Sequence, residues 1–292
     1  MTRRTGVPAP AASPSLWTGL LGAEVRFVDA SGVRTRVVSL GVGDPVVLLH
    51  GRGGHIETFA RTLPALAASG RRAIAVDLLG HGLTGRADGG YGVERLAEHA
   101  HAVLTALGLG RVDLVGQSLG GWIAVLLALR DPARVRRLAL IEPAGLQSEA
   151  TRLADGRVRA AYERGGQAYR EPTPEAVRTR LAGLLAAPDT VDPELVAVRT
   201  ALYAPAEARD VHQQVRAADN EGVLLTPDRL AKVGAPVLII RGEHGHTPLN
   251  VVEAAAAALP DARVVTVPQA KQWPQFEQPE IVADALVQFL GG

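Results

Sequence analysis

Short apolar runs alternate with longer amphipathic stretches along the first half of the chain. Val25 to Val28 and Thr35 to Leu40 predict two strands joined by the turn Asp29-Ala30-Ser31-Gly32, an antiparallel edge pair. Pro45 to Leu49 is continuously apolar, as a strand buried on both faces must be, and it ends at His50-Gly51-Arg52-Gly53-Gly54. A helix is expected over Glu57 to Ala68, a strand over Ala73 to Val76 and a helix over Val93 to Leu107. Further strands are expected over Arg137 to Ile141, ending at Glu142-Pro143, and over Pro236 to Ile240 and Arg263 to Val267. The last two are each followed by a helix, Val251 to Ala258 and Ile281 to Leu290. This alternation implies a parallel sheet with right-handed crossovers and a site at the strands' carboxyl ends.

The pattern changes between about Gly145 and Asp228, where buried strands give way to Arg- and Glu-rich helical segments. Breaks are expected at Gly165-Gly166, at Pro172 to Pro174 and at Pro188-Asp189. The expected organisation is a core of residues 23–144 and 229–292, a helical cap over 145–228, and a disordered Pro/Ala/Ser-rich tail over 1–22.

Val112 to Gly121 (V-D-L-V-G-Q-S-L-G-G) is the most informative stretch. A strand runs into a very tight turn and then an apolar helix from Trp122 to Leu129, with Ser118 at the apex. Gly116 and Gly120 flank the serine because a side chain at either would collide with the neighbouring element. The hydroxyl is thereby held at a helix N-terminus, where backbone N–H groups favour developing negative charge.

Composition narrows the chemistry. The chain of 292 residues is 47% hydrophobic, enough for a large core, and its formal net charge of +1 makes no electrostatic case for nucleic acid or an anionic membrane. It has no cysteine, which removes disulfides, thiolate metal sites and thiol nucleophiles. No apolar run is long enough to span a bilayer and the N-terminus lacks a signal-peptide pattern, so a cytoplasmic protein is expected. No metal and no cofactor are expected. The expected partner is a small-molecule substrate, with homo-oligomerisation left open.

With these pieces placed, the chain resembles the α/β-hydrolase superfamily from about residue 23 onward. The resemblance rests on His50-Gly51-x-Gly53-Gly54, Asp77-x-x-Gly80-His81-Gly82 and Gly116-Gln117-Ser118-Leu119-Gly120-Gly121-Trp122. It implies an α/β-hydrolase fold, a mostly parallel central sheet flanked by helices with an inserted helical cap. Within the superfamily it is similar to the meta-cleavage-product hydrolases, which cut C–C bonds in vinylogous 1,5-diketones. The stretches His50 to Phe59, Pro174 to Arg178, Glu194 to Arg199, Leu225 to Leu230 and Trp273 to Glu277 carry that similarity. The resemblance implies an oxyanion hole from the N–H of Leu119 and one from Arg52 or Gly53. It also implies a carboxylate-binding role for Arg199, and pocket walls from Trp273, Trp122 and Gln117.

The departures matter as much. Where the family has its acid, Gly242-Glu243-His244-Gly245-His246 places Gly245. Where the family has its histidine base, Ala270-Lys271-Gln272-Trp273 places Gln272. An amide cannot take up and return a proton near neutral pH, so Ser118 lacks its aligned activators. Replacement acids or bases are to be sought in Glu142, at the end of its strand, and in His244, His246 and Lys271. Each has a plainer reading as a capping or solvated side chain, as His55 and His81 have as loop braces.

The expected function is an α/β-hydrolase-fold enzyme acting on a small apolar carbonyl compound, with or without a carboxylate. Its altered, non-hydrolytic mechanism (lyase, cyclase or isomerase) would use Ser118, Gln272 and the oxyanion donors. The alternatives are a hydrolase with a relocated base or acid, and a catalytically dead homologue, natural or engineered, that binds a ligand.

Overall fold

The computed structural model describes residues 15–291. Eight strands form one sheet: β1 (Glu24–Ala30), β2 (Val33–Leu40), β3 (Asp44–Leu49), β4 (Arg71–Val76), β5 (Val112–Gln117), β6 (Val135–Ile141), β7 (Val237–Gly242) and β8 (Ala262–Val267). Their spatial order is β1-β2-β4-β3-β5-β6-β7-β8. The β1–β2 and β2–β4 pairs are antiparallel and every other pair is parallel. Every residue of β5 is buried, which is why it reads as a nearly continuous apolar run.

Helices cover both faces. α1 (Leu63–Ala68) packs with β4 on one face, α2 (Val93–Ala106) and α3 (Leu119–Arg130) on the other. Between β6 and β7 the chain runs through α4 (Glu149–Ala154), α5 (Gly156–Arg170), α6 (Pro174–Ala182), α7 (Pro193–Tyr203), α8 (Ala206–Ala217) and α9 (Pro227–Leu230). α10 (Leu249–Ala258) follows β7, and α11 (Pro274–Glu277) and α12 (Pro279–Gly291) follow β8. Two apolar clusters fill the faces. One joins α2, α3 and α10 to the sheet, and the other joins α1, α12 and α5 to α7 to its opposite face. Among the described residues no helix is long and apolar enough to cross a membrane.

Three expectations need correction. The helix expected over Glu57 to Ala68 is split into a 3-10 turn, Ile56–Phe59, and α1. Pro64 has no N–H and fits only the first turn of a helix, so the helix restarts there. The expected break at Gly165-Gly166 is absent, and both glycines are buried inside α5. A carbon placed on Gly165 would lie 2.8 Å from Nη1 of Arg180, and one on Gly166 2.9 Å from Nη2 of Arg216. These glycines make room for guanidinium groups, at a helix-propensity cost of about 1 kcal/mol each. Of the tail expected over 1–22, residues 1–14 lie outside the described residues. Leu16–Leu20 is instead a 3-10 helix whose Leu16 and Leu20 are buried in the apolar cluster with α1. Glu194 on α7 holds it through Ser15 Oγ and the Leu16 N–H.

Candidate active site

The turn between β5 and α3 places Ser118 at φ 51°, ψ −113°, a conformation unusual for a residue with a side chain. The flanking glycines are sterically required. A carbon on Gly116 would lie 2.3 Å from the Gly120 carbonyl oxygen, and one on Gly120 2.0 Å from that of Leu49. The Ser118 N–H donates to Ile141 O at 2.9 Å, and its carbonyl accepts from Gly121, Trp122 and Ala144. The backbone is thus tied down on both sides of the side chain. Leu119 opens α3, so its N–H has no acceptor within the helix.

The loop after β3 faces this turn. Gly53 lies at φ 65°, and a carbon on it would fall 1.9 Å from the Tyr169 hydroxyl. Side chains from the helices between β6 and β7 grip two successive carbonyls here. Arg180 Nη2 and the Tyr169 hydroxyl donate to Arg52 O at 2.9 and 3.3 Å, and the Tyr203 hydroxyl donates to Gly53 O. Arg52 O and the Gly53 N–H belong to one peptide plane, so fixing the carbonyl fixes the direction of the N–H.

A cavity of about 100 Å³ joins these parts, its lining including Arg52, Ser118, Leu119, Gln272, Arg199 and Trp273. Gln117 and Trp122 also line it. Gln117 Nε2 donates to Gln272 O at 3.2 Å, and Trp122 Nε1 to Val223 O at 2.9 Å. The Gln272 N–H donates to Leu184 O at 3.0 Å, so its backbone is pinned from two sides. Its side-chain Oε1 is buried without a hydrogen-bond partner.

Arg199, on α7, is 0% exposed. Its Nε donates to His55 Nε2 at 3.1 Å, its Nη2 to Thr58 Oγ1 at 3.4 Å, and it lies 4.6 Å from the Trp273 ring centre. Nη1 has no partner. His55 donates in turn from Nδ1 to Glu57 Oε2 at 2.6 Å, and Glu57 pairs with Arg36 at 2.8 Å. Burial lowers the His55 pKa, against the pull of the Glu57 carboxylate.

Glu142 follows β6 at φ 45° and is 1% exposed. Its Oε1 accepts the Gly242 N–H at 2.7 Å, while Oε2 is buried without a partner. Burial pushes the carboxyl up to about 7, against the pull of the Gly242 N–H and the Arg241 guanidinium. A carbon on Gly245 would sit 2.0 Å from Oε1.

The alpha/beta hydrolase fold family model matches residues 44–279. The chain belongs to the α/β-hydrolase family. Its relatives include the 2-hydroxy-6-oxo-2,4-heptadienoate hydrolase of Pseudomonas putida, 44% identical over 129 residues. That match covers 43% of this chain and 47% of the relative, so the chain spans about half the length of that curated relative. The 2-hydroxy-6-oxo-6-(2'-aminophenyl)hexa-2,4-dienoic acid hydrolase of Metapseudomonas resinovorans is 27% identical over 91% of this chain and 90% of its own. Among solved structures, a serine hydrolase involved in carbazole degradation (the CarC enzyme) superposes with a TM-score of 0.79 at 26% identity, covering 92% of this chain and 99% of that one.

In this α/β hydrolase the candidate acids and bases separate. His244 is exposed beside Glu243 and does not line the cavity. Lys271 is absent from the lining too. Its N–H donates to Glu277 at 2.8 Å, and burial lowers its amine only from the ordinary lysine range. Neither is placed to serve Ser118. His246 does line the cavity, and burial, with Lys271 and Arg152 nearby, pushes its imidazole down to about 4. His81 donates from Nδ1 to Leu79 O at 2.9 Å and, like His50 between Gly51 O and the Leu78 N–H, braces a loop.

Sequence reasoning passed over Tyr169, Arg180 and Tyr203. The chain has only 4 tyrosines, and the structure buries Tyr169 and Tyr203, which nothing in their sequence surroundings marks out. A buried tyrosine hydroxyl normally needs a partner.

Proposed function

We propose that this α/β hydrolase acts on a small unsaturated carbonyl compound bearing a carboxylate, without the usual serine-histidine-acid relay. The observation that carries the reading is the buried Arg199, with one nitrogen unpartnered, in the same cavity as Ser118 and Gln272. The carboxylate pairs with Arg199, and the carbonyl oxygen lies between the N–H of Leu119 and that of the Arg52–Gly53 loop. The Ser118 hydroxyl and the Gln272 amide orient the substrate by hydrogen bonding. Charge developing on the carbonyl oxygen is stabilised by donors already in place, which requires no protein base.

The reaction that suits this equipment is an isomerisation of a dienol to its ketone. The enol O–H proton passes to solvent water, water delivers a proton to carbon to form the C–H bond, and the π electrons shift, with no net gain or loss of atoms. Incubating a ring-opened dienol diketo-acid with the wild type and identifying the products tests it. An isomer with unchanged mass supports the reading, and two acid fragments contradict it. Binding without turnover supports a ligand-binding homologue instead.

One observation favours a second reading: His246 lines the cavity with Ser118. A neutral imidazole there would accept the Ser118 proton and restore hydrolysis with a relocated base. Loss of fragment formation in both Ser118→Ala and His246→Ala would establish it.

A further inference from the structure

Among the described residues five arginines line the cavity, Arg52, Arg152, Arg180, Arg199 and Arg216, and no Asp or Glu does. Arg199 alone satisfies a single substrate carboxylate, which leaves four cations to explain. Among the described ion pairs their carboxylate partner is Glu149, which pairs with Arg52 at 3.0 Å and with Arg152.

Arg180 and Arg216 have no acidic partner among the described hydrogen bonds and ion pairs. They nevertheless face one another across the bare backbone of α5. A carbon on Gly165 would be 2.8 Å from Nη1 of Arg180 and 3.6 Å from Nη1 of Arg216. Arg52 joins them, because both Arg52 and Arg216 lie over the Tyr162 ring, at 5.6 and 3.5 Å from its centre. Arg180 Nη2 is also bonded to Arg52 O. Nε of Arg180 is buried without a partner. Like charges held together in a partly desolvated cleft repel, and the repulsion is relieved when an anion sits among them.

The contacts of Arg199 are different: His55, Thr58 and the Trp273 ring. The lining also includes Val158, Leu184, Val215 and Trp122, side chains that offer an apolar surface. We infer that Arg52, Arg180 and Arg216 form a second anion subsite, and that the ligand is a small dicarboxylate with an apolar, unsaturated spacer. Planar guanidinium groups suit carboxylates through paired N–H donors, and the spacer lies against the aromatic and aliphatic walls. The inference rests on the proposed function's placement of the first carboxylate on Arg199.

Calorimetric titration with benzoate, isophthalate and isophthalate monomethyl ester tests it. Isophthalate is expected to bind roughly tenfold or more tightly than the other two, since one charge-assisted pair is worth that much. Arg216→Gln and, independently, Arg216→Met are expected to bring isophthalate down to the level of the monoester and to leave benzoate unchanged. Two variants guard against one simply failing to fold. Equal binding of isophthalate and its monoester by the wild type overturns the subsite, as does no binding of either at millimolar concentration. If Arg199→Gln changes no affinity while Arg216→Gln removes the preference for isophthalate, the proposed function's carboxylate site fails and the second subsite stands.

Discussion

The carboxylate of Glu142 occupies the space that a side chain on residue 245 would need. A carbon on Gly245 would lie 2.0 Å from Glu142 Oε1, and the same oxygen accepts the Gly242 N–H from the end of β7. The absence of a side chain at residue 245 and the position of the carboxylate after β6 are therefore sterically coupled. Gly245 is the small partner that lets Glu142 in.

It follows that Gly245→Asp alone is destabilising, by about 1–3 kcal/mol, because it overfills the site and sets two buried carboxyl groups side by side. Glu142→Ala combined with Gly245→Asp should recover most of that loss. Thermal melting of the single and double variants measures it.

The raised pKa of Glu142 gives stability a specific pH dependence. A carboxyl that ionises near 4.5 when unfolded and near about 7 when folded binds its proton more tightly in the native state. Its contribution is present at low pH and lost as pH rises across that interval, by up to about 3 kcal/mol. Glu142→Gln lacks this loss. Denaturant titrations at about pH 5 and about pH 8 should therefore show the variant gaining on the wild type at the higher pH.

The grip on the Arg52 and Gly53 carbonyls predicts a positioning role for Tyr203. Tyr203→Phe keeps the ring packing against Tyr169 and His212 and removes only the hydroxyl bonded to Gly53 O. With the donor peptide less firmly held, kcat should fall roughly tenfold while KM changes little. A rise in KM at constant kcat would assign the residue to substrate binding instead.

Arg199→Gln should act in the opposite sense. Removing a buried guanidinium from a carboxylate costs about 1.5–3 kcal/mol, roughly a ten- to hundredfold loss of affinity for the acid. The methyl ester of the same compound should be little affected, and comparing KM for the two measures the difference.

The elbow was legible because the packing that requires Gly116 and Gly120 is local, a matter of residues four apart. The alternation of buried strands and helices was legible for the same reason. Gly165-Gly166 misled because glycine pairs usually interrupt helices. Here the cause lies in Arg180 and Arg216, which are distant in the chain and close only in the fold. His244 and His246 look equivalent in sequence, yet the turn after β7 exposes one and directs the other to the cavity. Glu142 could be named from its place at the end of β6. That its carboxylate fills the room left by Gly245 could not, because the contact depends on the backbone of two loops.

The proposed function places Gln272 where a serine hydrolase would need a base. The most direct test is Ser118-dependent release of nitrophenolate from 4-nitrophenyl acetate by the wild type and by Gln272→His. On that proposal the single substitution should raise hydrolysis roughly a hundredfold or more, and Ser118→Ala should abolish the gain. A wild type that already hydrolyses the ester through Ser118, or a Gln272→His variant with no gain, would contradict it.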